Sequence, residues 1–266
     1  MSRSLPAAAV VSLCLGLTVA ARATQDPLAV SPDAYRLEFE NDWVKVVRVV
    51  YGPHVVIAPH FHTERASAYV YLNDGGPILF RHENLPYSVV TRPATRAGSF
   101  RVYKGLAEVH SVENPTAIRN EFLRVEFKTE PLEDALLKGK FFRDETGPTA
   151  SARRTQFENA QVRITRVLMA GEAMELTASH DQPALLVALV PTGIEPSGGS
   201  TRPIDVGGTA WLDGGTGVRL HPIGTAGEVL RFDFKSRPRP LSDPAREAAV
   251  PPDVLSRNLA DIWRGG

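Results

Sequence analysis

The sequence predicts an all-β protein built from two tandem copies of one β-rich unit. Short runs that alternate apolar and polar residues recur at close spacing, separated by Gly, Pro, Asn and Asp turns, which is the pattern of a sandwich or barrel. A block of residues from the first half of the chain returns in the second half. The 266 residues give room for two ordinary domains, and no apolar run beyond the first stretch is long enough to span a membrane.

That first stretch reads as a secretory signal. Arg3 supplies the basic start, Leu5 to Ala20 is apolar, and Ala21-Arg22-Ala23 is a small-x-small cleavage site. Residues 1–23 are therefore expected to be removed after Ala23, leaving a periplasmic or secreted chain that begins at Thr24 and has no membrane span. Cys14, the one cysteine, would leave with the signal. The mature chain then has no disulfide and must be stabilised by its core. Basic and acidic residues balance at 30 each, which leaves no electrostatic footprint for nucleic acid.

Thr24 to Asp33 reads as an extended lead-in. Strand patterns follow at Tyr35 to Glu40, Trp43 to Tyr51, Ala68 to Leu72, Pro77 to Arg81, Tyr87 to Thr91, Ser99 to Tyr103 and Glu121 to Lys128, with Asn73-Asp74-Gly75-Gly76 as a turn. Pro131 to Lys138 is a candidate short helix, and Thr146 to Arg154, with Gly147-Pro148, a candidate linker. The pattern then restarts. Phe39-Glu40-Asn41-x-x-Val44-x-x-x-Arg48-Val49 returns without a gap as Phe157-Glu158-Asn159-x-x-Val162-x-x-x-Arg166-Val167. The same offset carries Ala66 onto Ala184 and His62 onto His180. The closing Leu123-Arg-Val-Glu-Phe-Lys128 returns as Leu230-Arg-Phe-Asp-Phe-Lys235. Two blocks repeated in the same order indicate duplication. The units are expected at residues 35–130 and 154–236, the second carrying a Gly/Ser/Pro-rich loop from Pro191 to Gly208. A Pro-rich tail occupies 237–266. It ends in a short helix in which Asp253 caps a stripe of Val254, Leu255, Leu259, Ile262 and Trp263.

The chemistry concentrates on His60 and His62. Residues two apart on a strand point to one face, so this pair is half of a metal site, and His110 from a later strand can complete it. Three neutral imidazoles suit a divalent transition metal and leave positions open for a ligand. His110 is expected to come from a strand on the opposite wall of a barrel. His54 lies outside the His-x-His phase and reads as a turn residue, and His82 reads as solvated. Arg65, Arg101 and Tyr103 are candidates to hold an anionic or hydroxylated ligand. Trp211 reads as core. There is no Gly-rich phosphate loop, and Ser111 lacks a nucleophile elbow, so nucleotide-binding and serine-hydrolase readings have no support.

Taken with its glycines, the pattern Gly52…His60-x-His62…Gly75, then Gly98…Gly105…His110-x-x-x-Asn114, resembles the cupin family from about Tyr35 to Lys128. The second half joins through the repeat, so the whole resembles a bicupin. The resemblance implies two tandem jelly-roll β-barrels. It also implies a divalent metal (zinc, iron, manganese or nickel) held in the first barrel by His60, His62 and His110, with Asn114 as the turn residue after the third ligand. The family's Glu would fall at about Ala66 or Ser67, and neither can bind a metal. Glu64 is close but binds only if its turn folds inward. In the second unit Ala178 stands for His60, His180 stands for His62, and His221 lies loosely near the third position. That copy is expected to be structural or dimer-forming, with His180 superposed on His62. Three functions remain open on this reading: a metal-dependent oxygenase, isomerase or lyase acting on a small polar molecule; a non-enzymatic binder of a small ligand; and an assembly module that forms a homodimer.

Overall fold

The structure is a computed structural model, and it describes residues 26–63, 65–83, 89–103, 108–130, 141–143 and 150–239. The signal segment, Glu64, Gly105, the candidate helix at 131–138, the first four residues of the candidate linker and the C-terminal helix lie outside the described residues.

The described chain is almost entirely β. The first unit contains β1 (Tyr35–Glu40), β2 (Val44–Tyr51), β3 (Val56–His62), β4 (Ser67–Tyr71), β5 (Ile78–His82), β6 (Val89–Arg92), β7 (Phe100–Tyr103), β8 (Glu108–Glu113), β9 (Asn120–Phe127) and β10 (Phe141–Phe142). They form a six-stranded sheet, β1-β2-β9-β4-β7-β10, facing a four-stranded sheet, β3-β8-β5-β6. The second unit contains β11 (Ala152–Glu158), β12 (Val162–Met169), β13 (Met174–Thr177), β14 (Ala184–Ala188), β15 (Thr192–Pro196), β16 (Arg202–Ile204), β17 (Thr209–Leu212), β18 (Gly217–Pro222) and β19 (Gly227–Phe234). Its sheets are β11-β12-β19-β14-β17 and β13-β18-β15-β16. Each unit is thus the expected jelly-roll pair of antiparallel sheets, although the two sheets are not joined into one closed hydrogen-bonded barrel.

Two local readings change. The expected lead-in contains one helical turn, α1 (Pro27–Val30), because Asp26 accepts the Leu28 N–H at 2.8 Å and Pro27 begins the turn. The Pro191–Gly208 segment is mostly a hairpin: β15 and β16 pair with Thr192 opposite Ile204.

Parity divides the strands of each large sheet. In the first unit Val44, Val46, Ala68, Val70, Phe100, Val102, Leu123, Val125 and Phe127 share one apolar cluster with Val162, Ile164, Leu185, Val187, Leu230, Phe232 and Phe234 of the second. The residues between them, among them Val49, Tyr51, Tyr69, Arg101, Tyr103, Phe122 and Arg124, line the first unit's interior. Both faces are buried, which is why the alternation in Trp43–Tyr51 is imperfect.

Some of the repeated motif residues brace turns and strand ends within each unit, and others reach across to the other unit. Asn41 Oδ1 accepts the backbone N–H groups of Trp43 and Val44, and Asn159 Oδ1 those of Gln161 and Val162. Lys128 reaches Glu40, and Lys235 reaches Glu158, at 3.0 and 2.7 Å. Arg48 bonds Glu38 and Glu121 and donates to the Gly207 carbonyl across the interface. Arg166 bonds Gln156 and Glu228 and donates to the Gly98 carbonyl in the reverse direction. Gly98 and Gly207 both have positive φ, +74° and +75°, the left-handed turn that presents these carbonyls. Phe39 stacks on Trp211 at 5.9 Å, so Trp211 is part of the interface.

The repeat is not gap-free throughout. Ser67 stands opposite Glu126, and Glu126 corresponds to Asp233. Opposite Asp233 stands Ala184, which a constant offset matches to Ala66. One residue has been lost between β12 and β14.

Candidate metal centre

Strand register assembles the centre. In the small sheet β8 lies between β3 and β5. His110 of β8 stands opposite His60 of β3 on one side and opposite His82 of β5 on the other. In the next row His62 stands opposite Glu108. Directly opposed residues of an antiparallel pair share a face, close enough for their side chains to meet. A shift in the β3–β8 register between Ile57 and His60 sets this phase. His110 therefore reaches His60 from the neighbouring strand of the same sheet. The expectation that it crosses from an opposite barrel wall is corrected.

His60, His62 and His110 are buried, and their ring centroids are 4.9 Å apart in each pair. One ring nitrogen from each lies within 4.8 Å of the other two. His60 Nδ1–H donates to the Ala58 carbonyl at 2.9 Å, which leaves Nε2 as the lone-pair nitrogen. The Tyr35 hydroxyl lies 3.1 Å from that nitrogen. His110 Nε2 is buried without a hydrogen-bond partner among the described residues. Convergent neutral imidazoles with an unsatisfied buried nitrogen fit a divalent transition metal.

His82 and Glu108 form a second set with His110, again with ligand atoms within 4.8 Å of one another. Glu108 Oε1 is 3.3 Å from His110 Nδ1, and Oε2 is 3.2 Å from His82 Nε2. His82 is therefore buried rather than solvated. The carboxylate sought at Ala66 or Ser67 enters from β8. Glu108 was missed, although Glu108-x-His110 has the same same-face spacing as His60-x-His62.

Burial dominates the electrostatics. It pushes the His60 pKa down to about 3, helped by the nearby His110. It pushes His62 well below the ordinary value, with Arg124 next in effect. His110 is lowered by burial against the opposing pull of Glu108. Burial would raise the Glu108 pKa, but His110 and His82 outweigh it and hold the carboxyl well below the usual range. At neutral pH the centre is three neutral imidazoles beside one carboxylate.

The large sheet supplies the facing wall. Arg124 of β9 is buried, lies 3.2 Å from Glu126, and points its guanidinium at His62 Nδ1. Arg101 and Tyr103 face the interior, as their shared parity allowed, joined by Arg92 from β6. Arg65 is not among the residues lining this cavity. Burial raises the pKa of Tyr35, Tyr69 and Tyr103, and of Tyr51 to about 12, so these hydroxyls stay protonated.

Asn114 is fully buried and fixes the turn after β8. Its Nδ2 donates to the Tyr51, Gly52 and Ile118 carbonyls, and its Oδ1 accepts from Thr116. His54 sits in the β2–β3 turn at φ +55°.

The second unit does not reproduce the centre. Ala178 is part of an apolar cluster. His180 lies past the end of β13, exposed and bonded to Asp181, so it does not occupy the place of His62. His221 is paired with Glu195 at 2.6 Å. Among the described residues, the groups able to hold a metal lie in the first unit alone.

No protein-family model and no curated protein matches the sequence. Solved structures do match. AerE from Microcystis aeruginosa is 10% identical, with a TM-score of 0.52 over 76% of this chain and 97% of that one. YhaK from Escherichia coli is 14% identical, with a TM-score of 0.51 over 76% and 91%. A cupin 2 conserved barrel domain protein from Leptotrichia buccalis is 12% identical, with a TM-score of 0.48 over 76% and 88%. These likenesses concern the fold. With two jelly-roll units in tandem and the His-x-His and distant His brought together inside the first, the chain has the bicupin fold.

Proposed function

We propose that the first unit, residues 35–130, is a metal-dependent centre acting on a small polar molecule, and that residues 154–236 form its structural counterpart. The observation that carries the reading is the convergence of His60, His62 and His110, with one ring nitrogen of each within 4.8 Å of the others. In this reading the three imidazoles hold a divalent metal such as zinc, iron, manganese or nickel. Glu108 orients His110 through Nδ1 and supplies the negative charge that the motif position lacks. A bound metal would supply Lewis-acid or oxygen-activating chemistry, of oxygenase or isomerase type. The chain's own groups do the rest. Tyr69 and Tyr103 offer protonated hydroxyls to a ligand, and the buried walls exclude water. The Ala21-Arg22-Ala23 site and the apolar run before it support export, with Thr24 as the first residue of the mature chain. Mass spectrometry of envelope fractions tests this, and a full-length cytoplasmic chain would overturn it.

The Arg124 guanidinium pointed at His62 Nδ1 favours a second reading, a barrel that binds a small ligand without a metal. Metal titration by calorimetry, with metal content of the dialysed protein, separates the two. One equivalent bound by wild type and lost in His60→Ala, His62→Ala and His110→Ala supports the centre. His82→Ala should retain the metal, and its loss there would move the site to His82, Glu108 and His110. No binding by folded wild type would leave the metal-free reading.

A further inference from the structure

We infer that the cavity of the first unit takes a small organic anion, a carboxylate, whose charged group is held by Arg92 and Arg101. This deepens the proposed function, since it rests on reading the same cavity as a ligand site.

Among the described residues that line the cavity, Arg92, Arg101 and Arg124 bring guanidinium groups and Glu108 one carboxylate. Glu108 is engaged with His82 and His110, and Arg124 has Glu126 at 3.2 Å. Arg92 has neither arrangement. It is 1% exposed, its Nη2 donates to the neutral Asn120 amide oxygen at 2.8 Å, and its Nε is buried without a partner among the described residues. Its guanidinium lies 5.3 Å from the Tyr71 ring centre and 5.4 Å from that of Phe122. Such cation–π contacts offset only part of the cost of removing a guanidinium from water. A carboxylate accepting two N–H groups from the planar fork supplies the missing counter-charge.

The surroundings define the remainder of the ligand. Arg101 lies over Tyr69, 5.4 Å from its ring centre, and Tyr69 packs against Tyr103 and Phe122. Phe80 and Val90 complete an apolar side. A flat or short apolar body with a carboxylate at one end fits these walls, and the protonated Tyr69 and Tyr103 can meet a hydroxyl on it.

The test compares acetate and benzoate with acetamide and benzamide, their neutral counterparts, by calorimetry and thermal shift. It uses chelator-treated and metal-loaded protein in parallel. We expect at least one carboxylate to bind both forms at least tenfold more tightly than its amide. Arg92→Gln should remove at least tenfold of that preference, and Arg92→Lys should restore part of it. The wild-type comparison stands even where Arg92→Gln fails to fold. Equal binding of carboxylate and amide, or no binding of either carboxylate by folded wild type, overturns the inference. Carboxylate binding that vanishes with the metal also overturns it, because the metal and not the arginines would then hold the anion. Carboxylate binding to a protein that takes up no metal leaves this inference standing while the metal reading fails.

Discussion

Taking the metal-free protein from pH 7 to pH 5 should remove a large part of its folding stability. In the folded state His60 titrates at about 3, whereas an unfolded histidine titrates near 6.5. A depressed histidine pKa means that the unfolded chain binds more protons below that value, so stability falls as pH drops through it and is unaffected well above it. At pH 5 the unfolded His60 is mostly protonated and the folded one is not, which costs about 2 kcal/mol. His62 and His110 are shifted in the same direction. Both add to that cost, against a typical total stability of about 5–15 kcal/mol. Glu108 acts in the same sense, but its depressed pKa matters only near and below the ordinary carboxylate range, so it adds little before pH 5. Urea unfolding at pH 7, 6 and 5 in the presence of a chelator measures the effect. The midpoint should fall steeply below pH 6.5, and His60→Gln/His62→Gln should flatten the fall. A divalent metal at 100 times its Kd should add about 2.7 kcal/mol at pH 7 and progressively less at lower pH, as protons compete for the ligand nitrogens. A wild-type midpoint unchanged between pH 7 and pH 5 would refute the burial of neutral imidazoles on which the centre depends.

Arg166→Ala should destabilise the protein by about 3–5 kcal/mol in urea titrations, because its fully buried guanidinium serves Glu228, Gln156 and the Gly98 carbonyl. Arg48→Ala, at 15% side-chain exposure, should cost less. Gly75→Ala should lower Tm. A Cβ there would lie 2.2 Å from Asn120 Oδ1 and 2.7 Å from Thr95 Oγ1, at an overpacking cost of about 1–3 kcal/mol. It should also weaken ligand binding, because Asn120 holds Arg92. His180→Ala and His221→Ala should leave the metal isotherm of the first unit unchanged, since one is exposed and the other is tied to Glu195.

Much of this architecture can be read locally. Alternation locates β1, β2, β4, β5, β7 and β9 within one or two residues, and the Phe-Glu-Asn block marks the duplication because Glu40 and Asn41 brace the same turn and strand end in the first unit as Glu158 and Asn159 do in the second. His60 and His62 declare themselves by spacing. His82 does not, because nothing near it in sequence shows that β5 lies against β8 with His82 opposite His110. Arg92 has the same difficulty: its burial depends on Asn120, Tyr71 and Phe122, all distant in the chain. Glu108 could have been found. A search confined to the family's motif position passes over it, whereas parity with His110 points to it directly. The match of His62 to His180 fails for a different reason. Sequence identity survived the loss of one residue between β12 and β14, and the structural position did not.

Comparing the two units shows what makes one interior a site and the other a core. The strand pairings that correspond are β2–β9 with β12–β19, and within them Tyr51 becomes Met169 and Phe122 becomes Val229. Across the β4–β9 and β14–β19 pairs, Tyr69 becomes Leu186 and Tyr71 becomes Ala188. The second interior is thus lined by side chains without polar tips, and Met169, Leu186, Ala188 and Val229 pack with Ala178 as one apolar cluster. The arginine common to both units shows the same divergence. Arg231 is neutralised where it stands, by Asp233 at 2.6 Å and the Thr177 carbonyl at 2.9 Å. Arg124 keeps its acidic neighbour in Glu126 but directs its free end at His62. Buried charge without full pairing is costly, and an apolar interior avoids that cost. The first unit retains three arginines, three histidines and a carboxylate around one cavity, on a scaffold whose twin folds around an apolar interior and, of these groups, keeps the counterpart of Arg124, paired with Asp233. That excess over structural need is the physical argument for placing the function of the chain in the first unit.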